Sequence, residues 1–274
     1  MDTYFDIRIE NRNADFCYSR KPSLERRDMH PYHEILYYLD GDATFICERF
    51  RKRLAQKTLL IIPREHYHYF QIDSPESFER LKIRIYDDDE YGELIAPLIA
   101  DVNVFESLDE VCSSVLSGLC TSLLDGISPA NARAMATGAL LTVLSRLDCN
   151  RNSSTFNNCN TANSNHEGMI SQILRYIDAN LSNDISTESI AKHARISPSS
   201  LSHMFKDHLG VSLKQFIIQK RLMMAQRLIS NGNNPTDVFM DCGYRDYSSF
   251  YKAYVKTFGT PPSNTKSKKG RHDA

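Results

Sequence analysis

Apolar positions along this chain change their period twice. Leu81, Ile83 and Ile85 alternate with Lys82 and Arg84, as on a half-buried strand, and residues 59–62 form a short apolar run stopped by Pro63. Such patterns predict antiparallel strands over residues 30–86. Asp40-Gly41 marks a hairpin turn between strands at 33–39 and 43–47. Over residues 90–147 the spacing becomes helical, with Val111, Val115, Leu116, Leu119, Leu123 and Leu124 on one stripe. Residues 150–165 are almost wholly Asn, Ser and Thr, show no period, and predict a flexible linker. From residue 169 onward the pattern is helical throughout.

The helical C-terminal part carries one pattern twice. Ile170, Ile173, Leu174 and Ile177 predict a first amphipathic helix. Ser186 is placed to cap the next, which holds Ile190, the small Ala191 needed where two helices cross closely, and Ala194. Ser197-Pro198 opens another helix, with Ser as N-cap and Pro in the first helical position. Leu201, Met204 and Phe205 give it a buried face, and Gly210 ends it. A connector with Ile218, Leu222, Ala225 and Ile229 at helical spacing follows, closed by Asn231-Gly232. The pattern then restarts: Asn234-Pro235 caps a short helix, Gly243 allows a sharp turn, and Asp246 caps a last helix with Phe250 and Tyr254 inward. The copies align at a shift of about 49 residues, Leu201 on Phe250, Phe205 on Tyr254 and Gly210 on Gly259. An all-helical interaction domain is the plain alternative. Recurrence of cap, turn and stop in one order favours two helix-turn-helix units and DNA binding. The faces left open carry Ser199, Ser200, Ser202, His203 and Lys206 in one copy and Tyr247, Ser248, Tyr251, Lys252 and Lys256 in the other. These are short polar, aromatic or basic groups suited to base edges and phosphates.

Charge distribution sharpens that reading. The net charge of −1 hides a surplus of six positive charges over residues 166–274, with 15 Lys and Arg against 9 Asp and Glu. Residues 1–165 hold 18 basic and 25 acidic groups. Only the C-terminal part is therefore suited to a polyanion. The 274 residues suffice for two modest domains. No apolar run reaches membrane-spanning length, and the start lacks a signal pattern, so a cytoplasmic protein without membrane attachment is expected. Seven scattered cysteines, never as CxxC, fit reduced thiols rather than a disulfide framework.

Residues 166–266 resemble the DNA-binding domain of AraC/XylS-type transcription regulators. The resemblance rests on Cys242-Gly243-Tyr244-Arg245-Asp246-Tyr247-Ser248-Ser249-Phe250, on Gly259-Thr260-Pro261-Pro262-Ser263, and on Arg221-Leu222, Ala225 and Leu228 in the connector. Three positions depart from the family pattern. Phe239 stands where a small alanine is usual, Arg195 at a turn often held by glycine, and Asn264-Thr265-Lys266 at the usual ending. The resemblance implies that helices Pro198–Leu209 and Tyr247–Phe258 enter adjacent major grooves about one turn, ~34 Å, apart. The first copy is expected to supply most base discrimination, and the second more of the phosphate contacts. Lys266, Lys268, Lys269 and Arg271 form a basic tail.

The N-terminal region resembles, less sharply, the cupin-like sensor domain of the same family, through residues 30–41 and through Ile61-Ile62-Pro63 with His66-Tyr67-His68. In such a barrel alternate strand residues line the interior. His33, Tyr37, Phe45, His66, His68 and Phe70 are the expected lining, and the first five are the candidate contacts for a small sugar-like or aromatic effector. His30, His33, Glu34, His66 and His68 are also transition-metal ligand types. The His-x-His, Glu, later-His order of metal-binding cupins is not met, so neither a metal nor another cofactor is expected. No phosphate loop, GxSxG or HExxH occurs, which argues against an enzyme.

The expected fold class is α+β. A cupin-like β-barrel sensor at 1–88 is followed by a helical dimerisation segment at 89–149, a linker at 150–165, a DNA-binding domain at 166–266 and a tail at 267–274. The expected function is a homodimeric transcription regulator, an activator by family habit, with promoter DNA, a small-molecule effector and RNA polymerase as partners. The alternatives are a metal-dependent cupin enzyme fused to a DNA-binding module, and a ligand-independent regulator whose barrel only dimerises.

Overall fold

The computed structural model describes residues 5–10, 14–20, 29–48, 50–74, 77–86, 88–150 and 165–265. The expected linker, apart from its ends, and the basic tail lie outside them. The chain divides into two compact units, Met1–Thr161 and Ala162–Ala274, and is α+β.

The first unit contains strands β1 (Phe5–Glu10), β2 (Ala14–Arg20), β3 (His33–Asp40), β4 (Ala43–Cys47), β5 (Arg51–Arg53), β6 (Thr58–Ile62), β7 (His68–Ile72), β8 (Glu79–Ile85) and β9 (Asn103–Phe105). Its helices are α1 (Asp88–Ile95), α2 (Glu110–Leu124) and α3 (Pro129–Asn150). The strands form two antiparallel sheets, β1-β2-β8-β3-β6-β9 and β5-β4-β7. The described strands thus do not close into the single barrel expected. β9 also corrects the reading of residues 90–147 as wholly helical. It pairs with β6 through Leu59↔Phe105 and Leu60↔Val104, and three residues are too few to show a period.

Strand alternation sorts this unit's core into two layers. Phe16, Tyr18, Ile35, Tyr37, Leu59, Ile61, Leu81, Ile83 and Ile85 face the helices, meeting Leu116, Leu119, Leu140 and Leu144. Their strand neighbours Leu36, Tyr38, Leu60 and Ile62 face the small sheet, against Phe45, Cys47 and Phe70. Both faces of β3 and β6 are thereby covered, which explains the unbroken apolar run at 59–62. The predicted stripe on α2 splits: Leu116, Leu119 and Leu123 are buried, whereas Val111 and Leu124 are exposed. Asp109 caps α2, accepting from the Cys112 amide at 2.9 Å and from Arg146 Nε at 2.9 Å, and so ties α2 to α3. Cys17, Cys47, Cys112, Cys120 and Cys242 are buried. Burial pushes the Cys112 and Cys120 thiols up, to about 11 and about 12.

The second unit is all helical: α4 (Asn165–Ala179), α5 (Thr187–Ala194), α6 (Pro198–Leu209), α7 (Leu213–Ser230), α8 (Pro235–Asp241) and α9 (Tyr247–Phe258). The connector α7 serves both helix pairs. Near its start Phe216 meets Phe205 of α6 edge to face at 5.2 Å. Further along, Leu222, Ala225 and Ile229 join Val238, Cys242, Phe250 and Tyr254 of α8 and α9. A capping box between Ser212 and Gln215, absent from the sequence reading, starts α7.

Candidate functional site

The pairs α5–α6 and α8–α9 repeat to the level of single hydrogen bonds. Ser197 caps α6 by accepting from the Ser200 amide, and Asp246 caps α9 by accepting from the Ser249 amide, both pairs at the predicted shift. Gly210 and Gly259 end these helices in the left-handed conformation, each with φ near +70°. Each donates back to the carbonyl four residues earlier, that of Lys206 or Val255. Before the turn, however, the shift is one residue smaller. Ser186 corresponds to Asn234 as N-cap, and Ile196 N–H→Ala191 corresponds to Tyr244 N–H→Phe239. The left-handed residues Arg195 (φ 58°) and Gly243 (φ 77°) correspond likewise. The second turn is therefore longer by one residue.

The steric demands of the two turns differ as well. Arg195 carries a side chain in a conformation that costs most L-residues about 1–2 kcal/mol. A Cβ on Gly243 would overlap the Leu181 carbonyl and the Arg221 guanidinium. That guanidinium bridges the domain: Arg221 Nε donates to Leu181 O at 3.0 Å and NH2 to Asn183 O at 2.7 Å. Arg245, in the longer turn, pairs with Asp184 in the same α4–α5 loop. Buried Lys220 reaches Asp178 at 3.4 Å and lies over the Phe216 ring. Loop α4–α5, connector α7 and the second turn thus brace one another. Arg221 and Arg245 stood out in the sequence through the family resemblance alone, which carried no indication of this bracing role.

Phe239 is accommodated rather than expelled. It occupies the place of Ala191 but lies only half-buried, its ring meeting Tyr247 at 5.9 Å and 80°. Tyr247 in turn occupies the place of Pro198, so an aromatic pair replaces a small crossing residue and a proline.

A helix-turn-helix domain family matches residues 190–268. Over 98 residues the chain is 29% identical to the regulatory protein PocR of Salmonella typhimurium, covering 35% of this chain and 32% of that protein. Over 98 residues it is 32% identical to XylDLEGF operon transcriptional activator 2 of Pseudomonas putida, covering 34% of this chain and 62% of that one. The C-terminal domain is similar to that of AraC/XylS-type transcription regulators. The first two matches span less than two thirds of either relative's own length. A third relative, the Msm operon regulatory protein of Streptococcus mutans, is 22% identical over 267 residues, 94% of this chain and 92% of that protein.

In this AraC/XylS-type domain Ser199, Ser200, Ser202, His203 and Lys206 are exposed on α6, and Ser248, Tyr251, Lys252 and Lys256 on α9. Some are already engaged within their helix. Ser200 Oγ lies 2.8 Å from Ser197 Oγ, and Ser202 Oγ donates to the Pro198 carbonyl at 2.9 Å. His203 Nδ1 lies 2.9 Å from Asp207 Oδ2, with both side chains largely exposed. Tyr247 differs from the rest of the predicted set: its ring packs on Phe239 and Phe250.

The five predicted effector contacts of the first unit do not share one surface. Tyr37 is buried on the helix-facing side of β3, because its neighbours Leu36 and Tyr38 take the inter-sheet side. Phe45 is fully buried in the inter-sheet core beside Phe50, Phe70 and His68. His33 is buried, its Nδ1 accepting from the Arg64 amide at 3.2 Å, and His66 is half-buried. His68, Glu34 and His30 instead converge, all three buried. Burial drives the His30 pKa down to about 3, with Glu34 opposing. For Glu34, burial raises the pKa, but Lys82, His30, His68 and Arg80 outweigh it and hold the carboxyl down to about 2. Lys82 pairs in register with Leu36 and Arg84 with Glu34, so the polar face of β8 looks toward the inter-sheet side. There Arg84 covers the Tyr32 ring and Arg80 the Phe78 ring.

Proposed function

We propose that the chain is a sequence-specific DNA-binding transcription regulator that reads double-stranded promoter DNA through α6 and α9. The observation that carries this reading is the match of the two helix pairs from N-cap to C-cap, within a domain shared with the AraC/XylS family. Each pair acts as a helix-turn-helix unit, and the two helices enter successive major grooves ~34 Å apart. Ser199, Ser200, Ser202 and His203 face base edges. Lys206, Lys252 and Lys256 neutralise phosphates, Ser248 and Tyr251 flank them, and Tyr247 seats α9 on Phe239.

The N-terminal unit serves as a cupin-like sensor of a small, sugar-like effector. Apolar side chains exposed on α2 and α3, Val111, Leu124, Met135 and Leu141, support pairing of two protomers there. The domain limits are 1–88, 89–149, 150–165 and 166–266. It acts as an activator, the role that the name of the XylDLEGF operon transcriptional activator states for that relative, with RNA polymerase as a partner, and it is a cytoplasmic regulator rather than an enzyme. The effector binds one arrangement of the DNA-binding domains better than the other, since equal affinity shifts nothing. Recovery of genomic fragments by the purified full chain tests the assignment. The expected result is a small set of sites with paired half-sites about one helical turn apart. Recovery without sequence preference contradicts it.

A further inference from the structure

His30 precedes β3, Glu34 lies on β3, and His68 opens β7 on the opposite sheet, so two chain segments distant in sequence meet between the sheets. His30 Nε2 lies 3.9 Å from one Glu34 carboxylate oxygen, and His68 Nε2 lies 3.8 Å from the other. The three side chains are only 4–6% exposed. The candidate donor atoms all lie within 4.8 Å of one another.

The far side of each ring fixes its tautomer. His30 Nδ1 is 2.8 Å from the Tyr32 carbonyl, and His68 Nδ1 is 3.1 Å from the His66 carbonyl. A carbonyl only accepts, so each Nδ1 carries the proton and each Nε2 turns its lone pair toward Glu34. Both distances exceed hydrogen-bond reach, and His30 Nε2 is buried without a hydrogen-bond partner. Two lone pairs and a carboxylate converging in a dry space repel one another unless a cation lies between them. Imidazole nitrogens held from behind by backbone carbonyls are the arrangement metal-binding histidines use.

We propose that His30, Glu34 and His68 bind one divalent transition-metal ion between the two sheets, with a coordination position left for an exogenous ligand. Two imidazoles and a carboxylate suit zinc, iron, cobalt or nickel. Ligands about 2.1 Å from a tetrahedral ion lie about 3.4 Å apart, so donor atoms that lie within 4.8 Å of one another close by up to about 1.4 Å on binding. Lys82 and Arg84 on β8 raise the cost of an added dication, and they favour an anion as the further ligand. The proposal revises the expectation of no metal. The set keeps the histidine, glutamate and later histidine of the cupin order, and the motif failed because Asp28 stands where the first histidine of the His-x-His pair would be. It stands independently of the DNA-binding reading.

The test uses the untagged full chain, stripped with a chelator and titrated with Co²⁺ and then Zn²⁺. Expected are one equivalent of Co²⁺ with visible d–d bands, displacement of those bands by Zn²⁺, and a higher melting temperature with either ion. Glu34→Gln, nearly isosteric, and His68→Ala each weaken binding by at least about tenfold. His66→Ala leaves it unchanged. Far-ultraviolet circular dichroism of each variant establishes that it folds. Absence of a bound equivalent, binding unchanged in both Glu34→Gln and His68→Ala, or bands dominated by thiolate charge transfer overturns the site.

Discussion

The two helix pairs of the C-terminal unit share caps, stops and apolar anchors, yet they solve the crossing differently. In the first, Ala191 lets α5 and α6 approach and an arginine makes the left-handed turn. In the second, Phe239 stacks on Tyr247, the turn is one residue longer, and Gly243 is wedged against the Leu181–Arg221 bridge. The repeat constrains where helices begin and end, while each crossing depends on neighbours the other pair lacks. The second turn is part of the brace joining the domain's halves.

Substitution at the paired turn positions breaks this comparison most sharply. Gly243→Ala meets both left-handed strain and overlap with Arg221, so a loss of about 2–4 kcal/mol is expected from denaturant unfolding of the full chain. Arg195→Ala keeps a non-glycine residue in the same conformation and is expected within about 0.5 kcal/mol of the wild type. Similar losses at both positions would remove the distinction. Next in size is the crossing. Ala191→Phe overpacks a closed contact and costs about 1–3 kcal/mol, whereas Phe239→Ala gives up a half-buried ring for about 1–2 kcal/mol. Melting curves that rank these two in reverse would place the tight crossing in the wrong pair.

The caps give the smallest difference, visible in pH. Ser197→Ala loses a hydroxyl cap worth about 1 kcal/mol at any pH. The Asp246 carboxyl is held below its ordinary 3.8 first by the Ser249 amide and then by the Ser249 hydroxyl. A depressed carboxyl contributes stability above its ordinary value and loses it as pH falls through the lowered one. The destabilisation of Asp246→Ala therefore shrinks below pH 3.8 while that of Ser197→Ala persists. A pH-independent Asp246→Ala would mean that the carboxylate form is not what caps α9.

Much of this unit was legible in the sequence because its signals are local. Ser197-Pro198, Asp246, Gly210 and Gly259 announce caps and stops within a few residues. The one-residue difference between the turns was hidden because the apolar anchors used for alignment lie after the turn, and the caps that reveal it lie before. In the N-terminal unit local signals located strands but misassigned their faces. Tyr37 and Phe45 looked equivalent as aromatic positions on strands, and only the covering of β3 from both sides separates them. The convergence of His30, Glu34 and His68 depends on β7 lying opposite β3, a long-range fact that no spacing encodes. β9 was missed for the same reason, being a strand only by virtue of β6.

The central claim, that both pairs touch DNA but divide the work, is tested most directly by one salt series. The affinity of the full chain for an enriched genomic site and for its scrambled counterpart is measured across salt concentrations. The wild type is compared with Lys252→Ala/Lys256→Ala and with His203→Ala. The lysine pair is expected to weaken both sites alike and to flatten the log–log salt slope by about 0.9 per lost phosphate contact. His203→Ala is expected to leave the slope and to reduce the preference for the true site by about 1–3 kcal/mol. Equal slopes and equal preference in all three proteins would contradict the account.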